Sequence, residues 1–365
     1  MKTLFIPASK PSASISNSLS YAEWSAPSGA LFHFGSLRYN RPMKKYERIC
    51  IYSLLGIFLV VSLFLDLPIT QGLYAPTNLF GQIGEMSAEI PAYLILIFAC
   101  ALIFRFHPHF KNKVADVFLT IGIGMVTLFV SYYGGSHFLK LLNRVTCRVG
   151  ENAFPAYFKL IYGMAFLGLG APWAWLVSKN SAKEAFVFGL FVLALYASLL
   201  VTMQGLKMLW LRPRYRTLVA LFGEEAAGSY WKPVWSINGW WSFSSYSPEV
   251  LGEATVNNAM ASLGISKWGK EEFYSFPSGH TMNFIGAMSI CMVSSFAPKL
   301  KGKEIYVRIG FYVLGVCVAL SRIVRGAHNL SDVTFGFLLG TLGFDMISTY
   351  FLPFLEKVTN KKATI

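Results

Sequence analysis

The chain has 365 residues, of which 54% are hydrophobic, and its formal net charge is +14. Charge-poor apolar runs of roughly 16–20 residues recur along it, each long enough to cross a hydrocarbon core about 30 Å thick, which excludes an ordinary soluble protein. Most basic residues lie in short segments between these runs, the positive-inside pattern of membrane proteins, so the charge does not indicate a nucleic-acid partner.

The N-terminal residues 1–40 are rich in Ser, Ala and Pro and show no apolar periodicity, which is typical of a disordered segment. The basic residues that then precede the first apolar run are Arg41, Lys44, Lys45 and Arg48. Positive charge at this point places the N-terminus in the cytoplasm. We therefore predict a disordered cytoplasmic tail over residues 1–48.

The apolar runs predict an all-α integral membrane protein, a helical bundle with about eight transmembrane helices and both termini in the cytoplasm. The predicted spans are 49–65, 92–104, 114–133, 160–177, 185–204, 282–298, 305–320 and 333–352. The connection 66–89 holds no Lys or Arg, as an outer loop should. The connection 134–156 contains basic residues against the charge rule, and we interpret it as an amphipathic segment at the interface.

Residues 216–272 form the largest predicted insert outside the membrane. Four of its tryptophans lie close together in sequence: Trp231, Trp235, Trp240 and Trp241. Two interpretations stay open: these indoles form an aromatic cluster in the headgroup layer, or they form the core of a small folded cap.

Two charges lie inside apolar runs, Arg308 and Asp345, both near the cytoplasmic end of their predicted helices. Charges in such positions are usually paired or line a cavity. We expect these two residues to pair with each other in a structural role.

The sequence Pro277-Ser278-Gly279-His280 lies immediately before an apolar run. Proline is favoured in the first turn of a helix, where its missing N–H needs no partner. The backbone N–H groups of Ser278 and Gly279 then form an anion site at a positive helix end. His280, in the same turn, can donate a proton to an oxygen that these amides hold.

A second group of polar residues ends another apolar run, at Ser321-Arg322 and, after five more residues, His328 and Asp332. On a helix, the four-residue step from His328 to Asp332 places the carboxylate beside the imidazole. The carboxylate then fixes one ring nitrogen as a donor and leaves the other as a nucleophile.

Lys207 and Arg214, seven residues apart, end an earlier apolar run. Cations, an anion-binding helix start and two histidines together indicate phosphoryl transfer. These residues resemble the three motifs of the type 2 phosphatidic acid phosphatase superfamily: Lys-x6-Arg-Pro, Pro-Ser-Gly-His and Ser-Arg-x5-His-x3-Asp. The second and third motifs are complete, whereas the first has Tyr215 in place of the proline. The resemblance covers roughly residues 185–352.

The resemblance implies a role for each motif residue. His328 attacks phosphorus and becomes phosphorylated, Asp332 orients it, and His280 protonates the leaving oxygen. The residues expected to bind the phosphate are Lys207, Arg214, Arg322, Ser278 and Gly279. Three more residues are possible contributors: Arg212, which offers a second Arg-Pro pair in a shifted register, Arg325, and Tyr215. No metal and no cofactor are expected.

The resemblance also implies a division of the chain into N-terminal transmembrane helices over 49–183 and a phosphatase core over 184–365, formed by the last five or six helices. The expected activity is metal-independent hydrolysis of a lipid phosphate or pyrophosphate at the outer face of a bacterial plasma membrane. The partners are then the lipid phosphate and the bilayer, with the oligomeric state open. The alternatives are a lipid phosphotransferase with the same phosphohistidine, and a non-catalytic lipid transport or channel protein.

Overall fold

The computed structural model of the protein describes residues 43–107, 112–146, 153–237 and 239–354. Residues 1–42 of the predicted tail 1–48 lie outside the described residues. The prediction is wrong for Lys45–Arg48, which form the first turn of a helix. The helices of eight or more residues are α1 Lys45–Leu73, α2 Leu79–Ser87, α3 Ile90–Phe106, α4 Lys113–Val145, α5 Phe158–Gly170, α6 Ala182–Trp210, α7 Tyr215–Phe222, α8 Glu253–Leu263, α9 Gly279–Gly286, α10 Glu304–Val324 and α11 Leu330–Met346. No β-strand occurs in the described ranges, and the prediction of an all-α membrane bundle is confirmed.

Six helical stretches in the described part of the chain are long and apolar enough to cross a membrane, against about eight predicted spans. These stretches are Lys45–Leu73, Leu79–Phe106, Lys113–Val145, Lys179–Phe222, Glu304–Val324 and Leu330–Phe354. The two remaining predicted spans are helical but interrupted. Helix α5 ends before Pro172, where a 3₁₀ turn over Pro172–Leu176 begins, and α9 continues as a 3₁₀ segment over Ala287–Ser295.

Helix α4 runs on to Val145, well past the end of the apolar run at 133. Its 33 residues span about 50 Å, more than the hydrocarbon core needs. The prediction of a separate interfacial segment is therefore wrong for residues 134–145, which are the last turns of α4. The basic residues at this end of α4 have anionic partners: Lys140 pairs with Glu271, and the buried Arg144 pairs with Glu272.

The N-terminal helices pack directly on the C-terminal ones. Helix α1 lies against α11, α2 against α10, and α3 against α6. The buried core accordingly mixes side chains from both parts, for example Phe98 of α3 with Phe188 of α6, whose ring centroids are 6.0 Å apart. The division at residue 183/184 stays a prediction, but the two parts share one core.

Helices α9 and α11 approach each other closely because α11 has glycine at the contact. A Cβ atom at Gly340 would lie 2.8 Å from the carbonyl oxygen of Met282, closer than real Cβ atoms come to a backbone atom. Small residues allow the backbones of membrane helices to touch. Nearer the site, the N–H of Ser278 donates to the carbonyl oxygen of Asp332, so the starts of the two helices lie side by side.

Arg308 and Asp345 do not pair with each other, so that expectation is wrong. Arg308 donates from Nε and Nη2 to the carboxylate of Glu47, both at 2.7 Å. Asp345 accepts from Arg48 Nη2 at 2.6 Å. The two partner residues, Glu47 and Arg48, lie in the first turn of α1. This turn precedes the apolar run 49–65, so hydropathy did not predict it as part of the helix. The two ion pairs hold α1 to α10 and α11.

The insert 216–272 contains α7 and α8, which pack on each other. Trp231 packs against a small buried cluster that includes Tyr215 and Leu218, as a cap core requires, whereas Trp235 is 63% exposed, as a headgroup residue would be. The side chains of Trp240 and Trp241 lie outside the described ones. Trp231 is therefore part of a cap core, and the headgroup interpretation of the other indoles stays a prediction.

Candidate active site

Lys207 lies in the last turn of α6, which ends at Leu211 in the left-handed conformation (φ +41°). Its Nζ atom faces the first residue of α9. A Cβ atom at Gly279 would lie 3.4 Å from Lys207 Nζ and 2.7 Å from Met203 Sδ, so the side chains of α6 pack directly on this residue. The first and second motifs thus meet at the positive end of α9.

Ser278 caps α9, and its Oγ accepts from the N–H of Thr281 at 3.4 Å. Its own N–H donates to the carbonyl oxygen of Asp332 at 2.9 Å. The expectation that this amide binds the phosphate is therefore wrong, because the N–H already has a backbone partner. Ser278 instead joins the second motif to the third, and the amides of Gly279 and His280 remain at the helix end.

His328 precedes α11 instead of lying on it. Asn329 caps that helix, and Asp332 closes a capping box by accepting from the Asn329 N–H at 2.7 Å. The expected helical contact between His328 and Asp332 is wrong for this reason. His328 Nδ1 lies 2.5 Å from the carbonyl oxygen of Ser275. A carbonyl only accepts, so Nδ1 carries the proton and Nε2 carries the lone pair.

Asp332 reaches His328 indirectly. The carboxylate accepts from the hydroxyl of Ser275 at 2.5 Å, and the carbonyl of the same Ser275 binds the imidazole. The completely buried Arg212 donates to Asp332 at 2.6 Å and to Asp66 at 2.7 Å. Arg212 also lies over the ring of Trp231, with Cζ 5.0 Å from the centroid. Arg212 is therefore held in a structural network and is not free for a phosphate.

Arg322 is completely buried at the end of α10, and its backbone oxygen accepts from the N–H of His328 at 3.3 Å. Its Nη2 atom donates to Glu85 at 3.2 Å, while Nε and Nη1 have no partner among the described residues. Nε of Arg214 is likewise buried without a partner there. Such unpaired guanidinium N–H groups are rare in protein interiors and indicate an anion site.

The same cations act on His328. Burial first, and then the electrostatic effects of Arg322, Arg214, His280 and Lys207, lower the pKa of His328 well below its ordinary value. The imidazole is therefore neutral at neutral pH, which is the protonation state that a nucleophile needs. The structure thus brings these members of the three motifs together around one ring.

His280 lies in the first turn of α9, with its ring centroid 6.5 Å from that of His328. Its Nε2 atom is buried without a hydrogen-bond partner among the described residues, and its Nδ1 atom lies 3.9 Å from Glu89. Burial and the charge of Arg322 lower the pKa of His280 well below its usual value, against the opposing effect of Glu89.

Arg325 and Tyr215 do not contact the two histidines. Arg325 donates to Glu85 at 2.8 Å and to the carbonyl of Pro76, which ties α10 to α2. Tyr215 is the first residue of α7, a position that also suits proline. Its buried ring packs edge-on against Tyr74, with 5.2 Å between the centroids. It therefore belongs to the cap core.

Two buried glutamates and two further arginines of the site were missed by sequence reasoning. Glu85 contacts Arg322, Arg325, Arg216 and Arg144, and Glu272 contacts Arg144, Arg216 and Arg214. Burial acts to raise the pKa of Glu272, but the arginines outweigh it and hold the pKa well below the ordinary value. Five buried arginines therefore surround two ionised carboxylates in this network, so positive charge is in excess.

Two more carboxylates, Asp66 and Glu89, were also missed, and they come from the same segment as Glu85. Asp66, Glu85 and Glu89 are all buried, although the absence of Lys and Arg from 66–89 predicted an outer loop. Asp66 lies in α1, Glu85 in α2, and Glu89 precedes Pro91 at the start of α3. The sequence did contain a sign of these residues, because acidic side chains next to or within apolar membrane stretches are usually paired with a cation or functional.

Residues 187–353 match the PAP2 superfamily, and all three motifs lie within this segment. Over 85 residues the chain is 36% identical to phosphatidylglycerophosphatase B of Bacillus subtilis (strain 168), a match that covers 22% of this chain and 40% of that protein. The chain thus spans less than half the length of this curated relative. No solved structure gives a significant match to the chain. The resemblance of the motifs to this superfamily is therefore confirmed over residues 187–353.

Proposed function

We propose that the protein is a membrane phosphatase that hydrolyses a lipid phosphate or pyrophosphate without a metal ion, through a phosphohistidine on His328. The observation that carries this proposal is the excess of buried arginine charge beside a neutral imidazole. Buried charges need a partner of opposite sign. A bound phosphate supplies that charge next to the lone pair of His328 Nε2.

The arrangement supports a two-step reaction. The lone pair of His328 Nε2 forms the P–N bond while the bond from phosphorus to the leaving oxygen breaks, and His280 Nε2 gives that oxygen its proton. Arg214, Arg322 and Lys207 stabilise the charge on the non-bridging oxygens. Water then attacks phosphorus, the P–N bond breaks, and His280 regains its proton.

A lipid is the favoured substrate because each motif residue lies at or beside the end of a helix in the membrane bundle. Lys207 lies in the last turn of α6, His280 lies in the first turn of α9, and His328 lies between α10 and α11. A headgroup at the membrane surface reaches such a site while its chains stay in the bilayer. The printed name of the Bacillus subtilis relative, a phosphatidylglycerophosphatase, supports the same substrate class.

The purified protein in detergent should release phosphate from at least one member of a panel of lipid phosphates, in the presence of EDTA and not in the presence of vanadate. Vanadate adopts the five-coordinate geometry of the transition state on His328, whereas the proposed mechanism uses no metal. The measurement is free phosphate together with the dephosphorylated lipid.

Loss of activity in EDTA that a divalent ion restores would contradict the metal-free mechanism. Dephosphorylated lipid in excess of free phosphate would instead identify a phosphotransferase. Absence of turnover on every lipid of the panel would favour the non-catalytic alternative.

We also propose that the site lies on the outer face, because the charge rule gives that face to the motif-bearing helix ends. In a variant without the five native cysteines, a cysteine at Trp235 should react with a membrane-impermeant maleimide added to intact cells. A cysteine at Lys301, which is exposed in the loop after the Ala287–Ser295 segment, should react only after lysis. The reverse labelling pattern would contradict the orientation.

A further inference from the structure

Glu89 lies where α2 ends and α3 begins, outside the segment that matches the PAP2 superfamily. Its carboxylate is buried and has partners on three helices. Oε1 accepts from Asn283 Nδ2 of α9 at 3.1 Å, Oε2 lies 2.9 Å from His137 Nδ1 of α4, and the hydroxyl of Tyr93 in α3 donates to Oε2 at 3.4 Å. Contacts from three helices fix the position of the carboxylate.

The carboxylate faces one edge of the His280 ring. Glu89 Oε1 lies 3.9 Å from Nδ1, and the opposite ring nitrogen, Nε2, is the buried atom without a partner. Asn283, which also binds Oε1, is one helical turn after His280 on α9, so the same oxygen contacts both residues. The ring therefore turns Nδ1 towards the carboxylate and leaves Nε2 for another group.

We propose that Glu89 is a positioning residue for the phosphatase reaction: it stabilises the protonated form of His280 and holds the ring so that Nε2 presents its proton to the leaving oxygen. This inference rests on the proposed function. It adds to the site a residue that the family motifs do not contain, carried by helices from outside the matched segment.

The need for such a carboxylate follows from the other charges that face His280. Arg322 of α10 and His137 of α4 lower the pKa of His280, Glu85 of α2 raises it, and the rings of His137 and His328 lie with centroids 6.1 Å and 6.5 Å away. Lys207 of α6 adds a further positive charge at Gly279. Burial and the charge of Arg322 disfavour imidazolium, and Glu89 is the anion nearest the ring.

The sign of the pH effect follows. A general acid works only when protonated, so the rate on a substrate that needs this acid falls as the pH rises through the pKa of His280. A carboxylate within about 4–6 Å raises such a pKa by about 1–3 units. Removal of the Glu89 charge therefore moves the alkaline limb of the pH–rate profile to lower pH.

The test compares Glu89→Gln with wild type on a lipid monophosphate and on p-nitrophenyl phosphate. Glutamine keeps the size and the amide contact but has no charge. We expect the alkaline limb for the lipid to move down by about one unit or more, with a loss of at least about tenfold on that limb. The phosphorylation step with p-nitrophenyl phosphate, measured as the first-turnover burst of nitrophenolate, should change by less than about threefold, because nitrophenolate leaves without a proton.

Two further variants separate positioning from folding. Glu89→Asp keeps the charge and should keep the alkaline limb within about half a unit of wild type. Glu47→Gln is the matched control, since Glu47 is also a buried carboxylate with a charged partner, Arg308, but lies at the start of α1, away from His280. Glu47→Gln should leave unchanged both the pH–rate profile and the ratio of the rates on the two substrates, even if it lowers the stability of the protein.

A double variant gives the last readout. In a His280→Ala background, Glu89→Gln should cause little further loss of activity on the lipid monophosphate. The imidazole whose protonated form the Glu89 carboxylate stabilises is already absent in that background. Equal losses on both substrates, an unmoved alkaline limb, or additive losses in the double variant would each overturn the role of Glu89. An inactive wild-type protein would overturn the proposed function itself, and that outcome is seen before any variant is compared.

Discussion

His328→Ala is expected to abolish phosphate release from both a lipid monophosphate and p-nitrophenyl phosphate, because it removes the proposed nucleophile. His280→Ala should behave differently. A lipid alkoxide is a poor leaving group, and general-acid help is typically worth about 10²–10⁴-fold, so activity on the lipid should fall by that factor. The burst of nitrophenolate from p-nitrophenyl phosphate should be largely kept.

The covalent intermediate provides an independent measurement. If His280 also activates the water, ³²P from labelled substrate should accumulate on His280→Ala protein as acid-labile phosphohistidine at His328. His328→Ala should carry no label. The two roles would have to be exchanged if His328→Ala kept activity on p-nitrophenyl phosphate while His280→Ala lost it and could not be labelled.

Substitutions of the two arginines on either side of Pro213 should have different effects, one on stability and the other on activity. Arg212→Met removes the partner of two buried carboxylates, Asp332 and Asp66, and breaking a buried pair typically lowers the free energy of unfolding by about 3–5 kcal/mol. Arg214→Met should leave thermal stability unchanged or raise it, because it relieves an excess of buried positive charge. Its kcat/KM should nevertheless fall by about 10²–10³-fold, since a phosphate oxygen loses its partner.

Thermal unfolding in detergent, with and without phosphate, separates these effects. Phosphate should raise the melting temperature of the wild-type protein, and Arg214→Met should abolish that increase. Glu272 keeps Arg144 and Arg216 as partners in this variant, so its own charge stays compensated. A low melting temperature for Arg214→Met, together with a stable and inactive Arg212→Met, would assign phosphate binding to Arg212.

The site depends on helices outside the matched segment. Glu85 and Glu89, on either side of the junction between α2 and α3, contact Arg322 and face His280 respectively. Asp66 of α1 holds Arg212 and, through the N–H of Ser331, the first turn of α11. The N-terminal helices are thus part of the site's electrostatics in this chain and more than an added anchor.

Features that depend on neighbours along the chain could be predicted from the amino-acid sequence. Apolar runs predicted the membrane helices, and the spacing of Lys207, His280, Arg322 and His328 predicted one phosphate site at their ends. The structure places these residues around one ring, while their chemical roles stay predictions. Hydropathy underestimated α1 and α4, because it detects only the apolar part of a helix and not the turns that continue into the site.

The pairing of acidic with basic side chains could be seen only in the folded protein. Asp332 binds Arg212 and Ser275 instead of His328, because the helix that carries it begins two residues after the histidine. Glu85 meets Arg322 across 237 positions of the chain. Such pairs depend on how helices rotate and pack, and a buried carboxylate has the same local sequence pattern as one in a solvated loop. Only the packed bundle separates the arginines that hold the fold from those with N–H groups left for a phosphate.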